Sequence, residues 1–173
     1  MTPKELLVNL KEMQIIKHGD FLLKSGTRSS IYVDLRTLIG YPILLREVSH
    51  CLWEKTRFIS YQRICGVPYT ALPMATCISI DHAVPMVFVR KEVKSYGTKK
   101  KIEGIFHVGE QCVLIEDVVT TGTSVLEIAT SLETEGLVVK DIVTVVERDP
   151  SVRERFYSKG YTLHSLFTLD DLL

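Results

Sequence analysis

The chain has 173 residues, 46% of them hydrophobic and 24% charged, which fits one globular domain with a full core. Its 21 lysines plus arginines are balanced by 21 aspartates plus glutamates. Nothing therefore draws the whole molecule toward nucleic acid or an anionic membrane, and any anion site must be local. The N-terminal MTPKELLVNLKEMQ carries charges within its apolar pattern, unlike a signal peptide, and no apolar run approaches the roughly 18 residues of a membrane span.

In chain order, residues 3–14 repeat apolar side chains at helical spacing, with Pro3 near the start. Phe21 to Lys24 and Ile31 to Leu35 read as short strands around a Ser25-Gly26-Thr27-Arg28 turn. ILLREVSHCLWEKTR (43–57) is an amphipathic helix. An alternation follows: strand 63–67, helix 71–82 with Pro73 tolerated in its first turn, and strand 85–91. It continues with strand 111–117, helix 123–136 ending at a glycine, strand 141–148, helix 150–160 and strand 161–167. Val- and Ile-rich strands alternating with helices predict an α/β fold with a central, mainly parallel sheet flanked by helices. The expected organisation is one domain over 1–173, with N-terminal elements over about 1–40 and a long polar loop over about 92–110. Cys51, Cys65, Cys77 and Cys112 form no CxxC pair and read as reduced thiols of a cytoplasmic protein. The five histidines lack HxxxH and HxxE spacing, so no protein-built metal cage is expected.

VLIEDVVTTGTS (113–124) is the most informative stretch. Ligands of open parallel sheets bind beyond the carboxyl ends of the strands, and Glu116 and Asp117 stand at such an end. Thr120, Thr121, Gly122 and Thr123 follow, and a helix starts there. Its first N–H groups lack intrahelical partners and its dipole adds positive charge, a setting for phosphate. Carboxylates repel phosphate but accept hydrogen bonds from vicinal hydroxyls. A ligand with both a phosphate and a cis-diol, a ribose 5-phosphate group, reconciles the two. The bland alternative is a strand end, an acidic turn and a threonine cap. GxxxxGK[ST] and GxGxxG are both absent.

The segment T-T-G-T behind two acids resembles the signature of the type I phosphoribosyltransferases, which bind 5-phosphoribosyl 1-diphosphate. LKSG (23–26), CGVPYTALPMAT (65–76), RKEVKSYGTKKKIEG (90–104), IEDVVTTGTSVLE (115–127) and ERDP (147–150) extend the resemblance over nearly the whole chain. Together they resemble the orotate phosphoribosyltransferase family, including the transferase half of animal bifunctional UMP synthases. At this length a single activity is expected, with no decarboxylase half.

The resemblance implies a type I phosphoribosyltransferase fold with a small N-terminal hood and a flexible lid. It implies transfer of ribose 5-phosphate to orotate, giving orotidine 5-monophosphate and diphosphate in pyrimidine synthesis. Glu116 and Asp117 would hold the ribose hydroxyls and act in catalysis; Thr120, Thr121, Gly122, Thr123 and Ser124 would wrap the 5-phosphate, with Val118 and Val119 also in the phosphoribosyl diphosphate site. Lys24, Tyr69, Thr70, Arg90, Lys91, Lys94 and Tyr96 would serve the phosphoribosyl diphosphate, with Lys94 also catalytic. Thr70 stands where bacterial members often have lysine, and Tyr96 where many have histidine. Residues 90–101 contain six basic residues and one acid, read either as a solvated loop or as charge for a diphosphate. Lys24, Tyr32, Val33, Thr120 and Arg148 are the candidates for orotate, arginine being suited to its carboxylate. Val33 departs from a pair that is commonly aromatic, and the plain alternative for Arg148 is an ion pair with Glu147 or Asp149. The family further implies Mg²⁺ carried in on the diphosphate and a homodimer with shared active sites. A transferase for another base and a ligand-sensing regulator without catalysis are the competing readings.

Overall fold

A computed structural model describes residues 1–23, 26–90 and 101–173. The first helix, α1 (Pro3–Glu12), is closed by a capping box between Thr2 and Glu5, with Pro3 at its start. Strands β1 (Ile16–Leu22) and β2 (Arg28–Val33) pair antiparallel as a separate two-stranded hood. Both differ from the strands expected at 21–24 and 31–35. Most of β1 is exposed, so pairing with β2 rather than an apolar pattern defines it. A 3-10 turn (Arg36–Gly40) leads into α2 (Pro42–Thr56).

The sheet contains β3 (Arg63–Gly66), β4 (Met86–Val89), β5 (Ile102–Glu103), β6 (Gln111–Val119), β7 (Val138–Glu147) and β8 (Thr162–Thr168). Their order is β5-β4-β3-β6-β7-β8; all pairings are parallel except β5 with β4. The helices are α3 (Ala71–His82), α4 (Thr123–Thr134), α5 (Val152–Tyr157) and α6 (Leu169–Leu172). Within the segment expected as one long loop, residues 102–103 form the edge strand β5; residues 91–100 lie outside the described ones.

Two cores fill the faces of this sheet. Val113 and Ile115 of β6 join α1, α2 and α3 in one, while Cys112 and Leu114 face α4 and α5 in the other. Apolar residues on both faces make β6 and β7 near-continuous hydrophobic runs, as strands covered on both sides require. At Gly66 a Cβ would meet the Ala71 carbonyl at 2.7 Å, so glycine lets α3 start close against the end of β3. The chain steps from β3 outward to β4, then returns to β6 on the other side of β3. The carboxyl ends of β3 and β6 therefore flank a topological switch point, where such sheets bind ligands.

Candidate functional site

Glu116 to Val119 end β6, and Thr120 to Gly122 lead into α4. Gly122 is the residue before the helix, with φ 72°. A Cβ there would lie 2.3 Å from the Phe156 ring, so both backbone and space demand glycine. Thr120, Thr121, Gly122, Thr123 and Ser124 enclose a cavity of about 120 Å³ with Glu116 at its edge. Thr121 and Thr123 hydroxyls share a 3.1 Å hydrogen bond, and Arg155 Nη1 donates to the Thr121 carbonyl at 2.7 Å. Helix-start amides, positive φ and hydroxyls are the features from which an anion site can be built.

The two acids differ. Glu116 is 6% exposed and its Oε1 accepts from the Asp117 amide at 3.0 Å. Asp117 is half-buried, and its carboxylate accepts no hydrogen bond among the described residues. Buried Thr144 donates to the Asp117 carbonyl at 3.1 Å, fixing the backbone beneath that carboxylate.

Asp117, Thr120, Tyr32, Val33 and Arg148 line a cavity of about 320 Å³ between the hood and the sheet. Tyr32 contacts Phe21, ring centroids 5.4 Å apart, and Arg36 lies 5.7 Å from the Tyr32 ring centre. Val33 is 6% exposed and belongs to the core as well as to this wall. Arg148 pairs with neither acidic neighbour. Glu147, 2% exposed, is bound by Arg153 and by Ser165 Oγ at 2.9 Å, while Asp149 accepts from the Ser151 amide. Arg148 instead crosses to the hood, where Nη2 donates to Ser29 Oγ and the Ile31 carbonyl. Burial pushes its guanidinium below the ordinary arginine value. This partnership was invisible in the sequence because it joins residues 117 and 119 positions apart.

A third cavity, about 460 Å³, brings Arg90 and Ser124 together with Val67, Pro68 and Lys101. Arg90 is held by Glu103 at 2.8 Å. Tyr69 and Thr70 follow β3 across a cis Pro68–Tyr69 bond, but they line a separate apolar pocket with Leu35, Arg36 and Ile39. Lys24, Lys91, Lys94 and Tyr96 lie outside the described residues. Among the described residues no three His, Cys, Asp or Glu side chains cluster to hold a metal ion. No described helix is long and apolar enough to cross a membrane.

No protein-family model matches the chain. It is 38% identical over 169 residues to the orotate phosphoribosyltransferase of Chlamydia caviae, covering 96% of this chain and 82% of that one. The chain belongs to the orotate phosphoribosyltransferase family. It is also 44% identical over 170 residues to bovine uridine 5'-monophosphate synthase, a match covering 97% of this chain and 35% of the bovine protein. The chain thus spans about a third of that relative's length. The Mycobacterium tuberculosis orotate phosphoribosyltransferase, solved in complex with 5-phospho-α-D-ribosyl 1-diphosphate, superimposes with a TM-score of 0.78 at 27% identity, covering 98% of each chain. The turn at the carboxyl end of β6 is therefore carried on the type I phosphoribosyltransferase fold expected from the family.

Proposed function

We propose that the chain transfers ribose 5-phosphate from 5-phosphoribosyl 1-diphosphate to orotate, giving orotidine 5-monophosphate and diphosphate in pyrimidine synthesis. The observation that carries this is one continuous run of residues shared by two cavities. Thr120 and Thr121 line both the anion cradle and the hood cavity containing Arg148. A phosphate in the first and a base carboxylate on Arg148 place the sugar between them, against Asp117.

The C1–O bond to diphosphate breaks with its electron pair leaving on oxygen, and an orotate nitrogen forms the new bond to C1. Positive charge develops on the sugar ring during this exchange. The carboxylate of Asp117, unengaged by the described protein, is available to that charge and to the ribose hydroxyls; buried Glu116 adds negative potential from beneath. Arg148, and Lys24 by family resemblance, would hold orotate, with Tyr32 and Val33 as the wall. Arg90, Tyr69 and Thr70, with Lys91, Lys94 and Tyr96, would meet the diphosphate, Lys94 stabilising it as it departs. Mg²⁺ would arrive held mainly by the diphosphate oxygens rather than by protein ligands, and the ion would supply neutralisation of the leaving group's charge.

A cytoplasmic homodimer completes the reading. It is supported by the free cysteines and by the exposure of Ile39, Tyr41, Ile43 and Tyr69 around the entries to α2 and α3. Such apolar exposure fits burial against a second copy.

The test is loss of orotate absorbance with phosphoribosyl diphosphate and Mg²⁺, run against uracil. Uracil leaves the Arg148 charge unmatched in a partly dry cavity, so turnover should fall by at least about a hundredfold. Comparable conversion of the two bases overturns the assignment.

A further inference from the structure

The hood closes one side of the base cavity, and Arg148 ties it to the sheet. Arg148 Nη2 donates to Ser29 Oγ at 2.5 Å and to the Ile31 carbonyl at 2.7 Å. Ser29 Oγ itself donates to the same carbonyl at 2.9 Å and accepts from the Ile31 amide at 3.1 Å. A hydroxyl has one hydrogen and two acceptor sites, so Ser29 makes all three bonds open to it. At the base of the side chain, the Arg148 amide is fixed to the Val119 carbonyl at 2.8 Å. The residue is thus held at its backbone and at the tip of its side chain. Nη2 is committed to the hood, while Nε and Nη1 donate to nothing among the described residues.

We propose that Ser29 is a positioning residue for orotate recognition. It fixes Nη2 on β2 so that the remaining donors of Arg148 stay turned to the cavity that Arg148 lines. It also makes seating of the hood and binding of the carboxylate depend on one another: a hood that lifts carries away the anchor for Nη2. A loose arginine would have to give up rotamer freedom each time a carboxylate binds, and this one has already lost it. The inference rests on Arg148 being the carboxylate anchor of the proposed reaction.

Ser29→Ala removes the acceptor without touching the cavity wall. The Michaelis constant for orotate should rise by about fivefold to tenfold, the weight of one ordinary hydrogen bond, since the Ile31 carbonyl still holds Nη2. The constant for phosphoribosyl diphosphate and kcat should stay within about twofold, because Ser29 touches neither the cradle nor Asp117. Ser29→Thr keeps the hydroxyl and should restore orotate affinity. Ser30→Ala, on the exposed side of the same strand, should change nothing. A general loosening of the fold would instead shift both substrates together and lower the melting temperature. An unchanged orotate constant in Ser29→Ala, equal shifts for both substrates, or no rescue by threonine overturns the inference while wild-type conversion of orotate leaves the functional reading standing. Absence of orotate conversion in the wild type overturns both.

Discussion

Asp117 shows how a side chain can be held ready without being used up. Its amide donates to Glu116 Oε1 at 3.0 Å and its carbonyl accepts from Thr144 at 3.1 Å, so the backbone is fixed on both sides. Its carboxylate accepts no hydrogen bond among the described residues, so the fold gains little from its charge. Asp117→Asn should therefore leave the melting temperature within about 2 °C, as substitutions outside supporting interactions do. In the proposed reaction chemistry should respond differently, because the lost charge would face the sugar where positive charge develops. kcat/KM should fall by about a hundredfold to a thousandfold, the range seen for removal of one preorganised electrostatic partner. Steady-state kinetics beside a thermal melt separates the two effects; unchanged kcat/KM rules out the role. Thr144 is 0% exposed, and no local pattern in TVVE marks it as a support for Asp117. The pairing of Glu116 with Thr144 across β6 and β7 brings the threonine hydroxyl to the Asp117 carbonyl.

At the scale of elements, the turn between β6 and α4 depends on a helix distant from it in sequence. The six-residue α5 puts Phe156, 0% exposed, against Gly122 and reaches back through Arg155 to the Thr121 carbonyl. Gly122→Ala should destabilise the protein by about 3 kcal/mol, combining overpacking against a fixed ring with the cost of positive φ. Gly160 also has positive φ, at 85°, but a Cβ there would meet nothing within 4 Å. Gly160→Ala isolates the backbone cost of roughly 1–2 kcal/mol. Denaturant melts of the two variants measure the steric share by difference, and equal losses would show that Phe156 yields. The contrast also explains what was legible in the sequence. β6, β7, α2 and α4 declare themselves through Val- and Ile-rich runs or helical periodicity with Pro or Gly at their ends, and the T-T-G-T turn follows such a run. β1 does not, since Lys17, His18, Gly19 and Asp20 are exposed and polar and the strand exists through its pairing with β2. β5 has two residues and α6 four, too short for any period to register. The turn after β6 was thus readable as a local motif, whereas its brace and the contacts of Arg148 with the hood are made only after folding.

The whole molecule has two cores separated by one sheet, which raises the question of whether they come apart together. Cys65 on β3 and Cys112 on β6 are 0% and 2% exposed, and both belong to the core beneath α4 and α5. Burial pushes the Cys65 thiol up to about 12 and raises Cys112 as well. At pH 8 a thiol of that value is ionised in roughly one molecule in ten thousand, so attack on a disulfide reagent is suppressed even before access is considered. Labelling must wait for exposure. If α4 and α5 could lift away alone, both thiols would open with half the structure intact, and the rate would rise only weakly with urea. The shared strands argue against this. β6 and β7 give one row of side chains to each core, so removing the helices from one face strips contacts from strands the other face needs. Cys65 and Cys112 should therefore label together, with a urea dependence equal to that of global unfolding. Cys77, partly exposed on α3, should react from the native state with little urea dependence. Mass-resolved labelling across a urea series tests this directly: a distinctly shallower slope for Cys65 and Cys112 than for the global transition would mean that the core beneath α4 and α5 opens by itself.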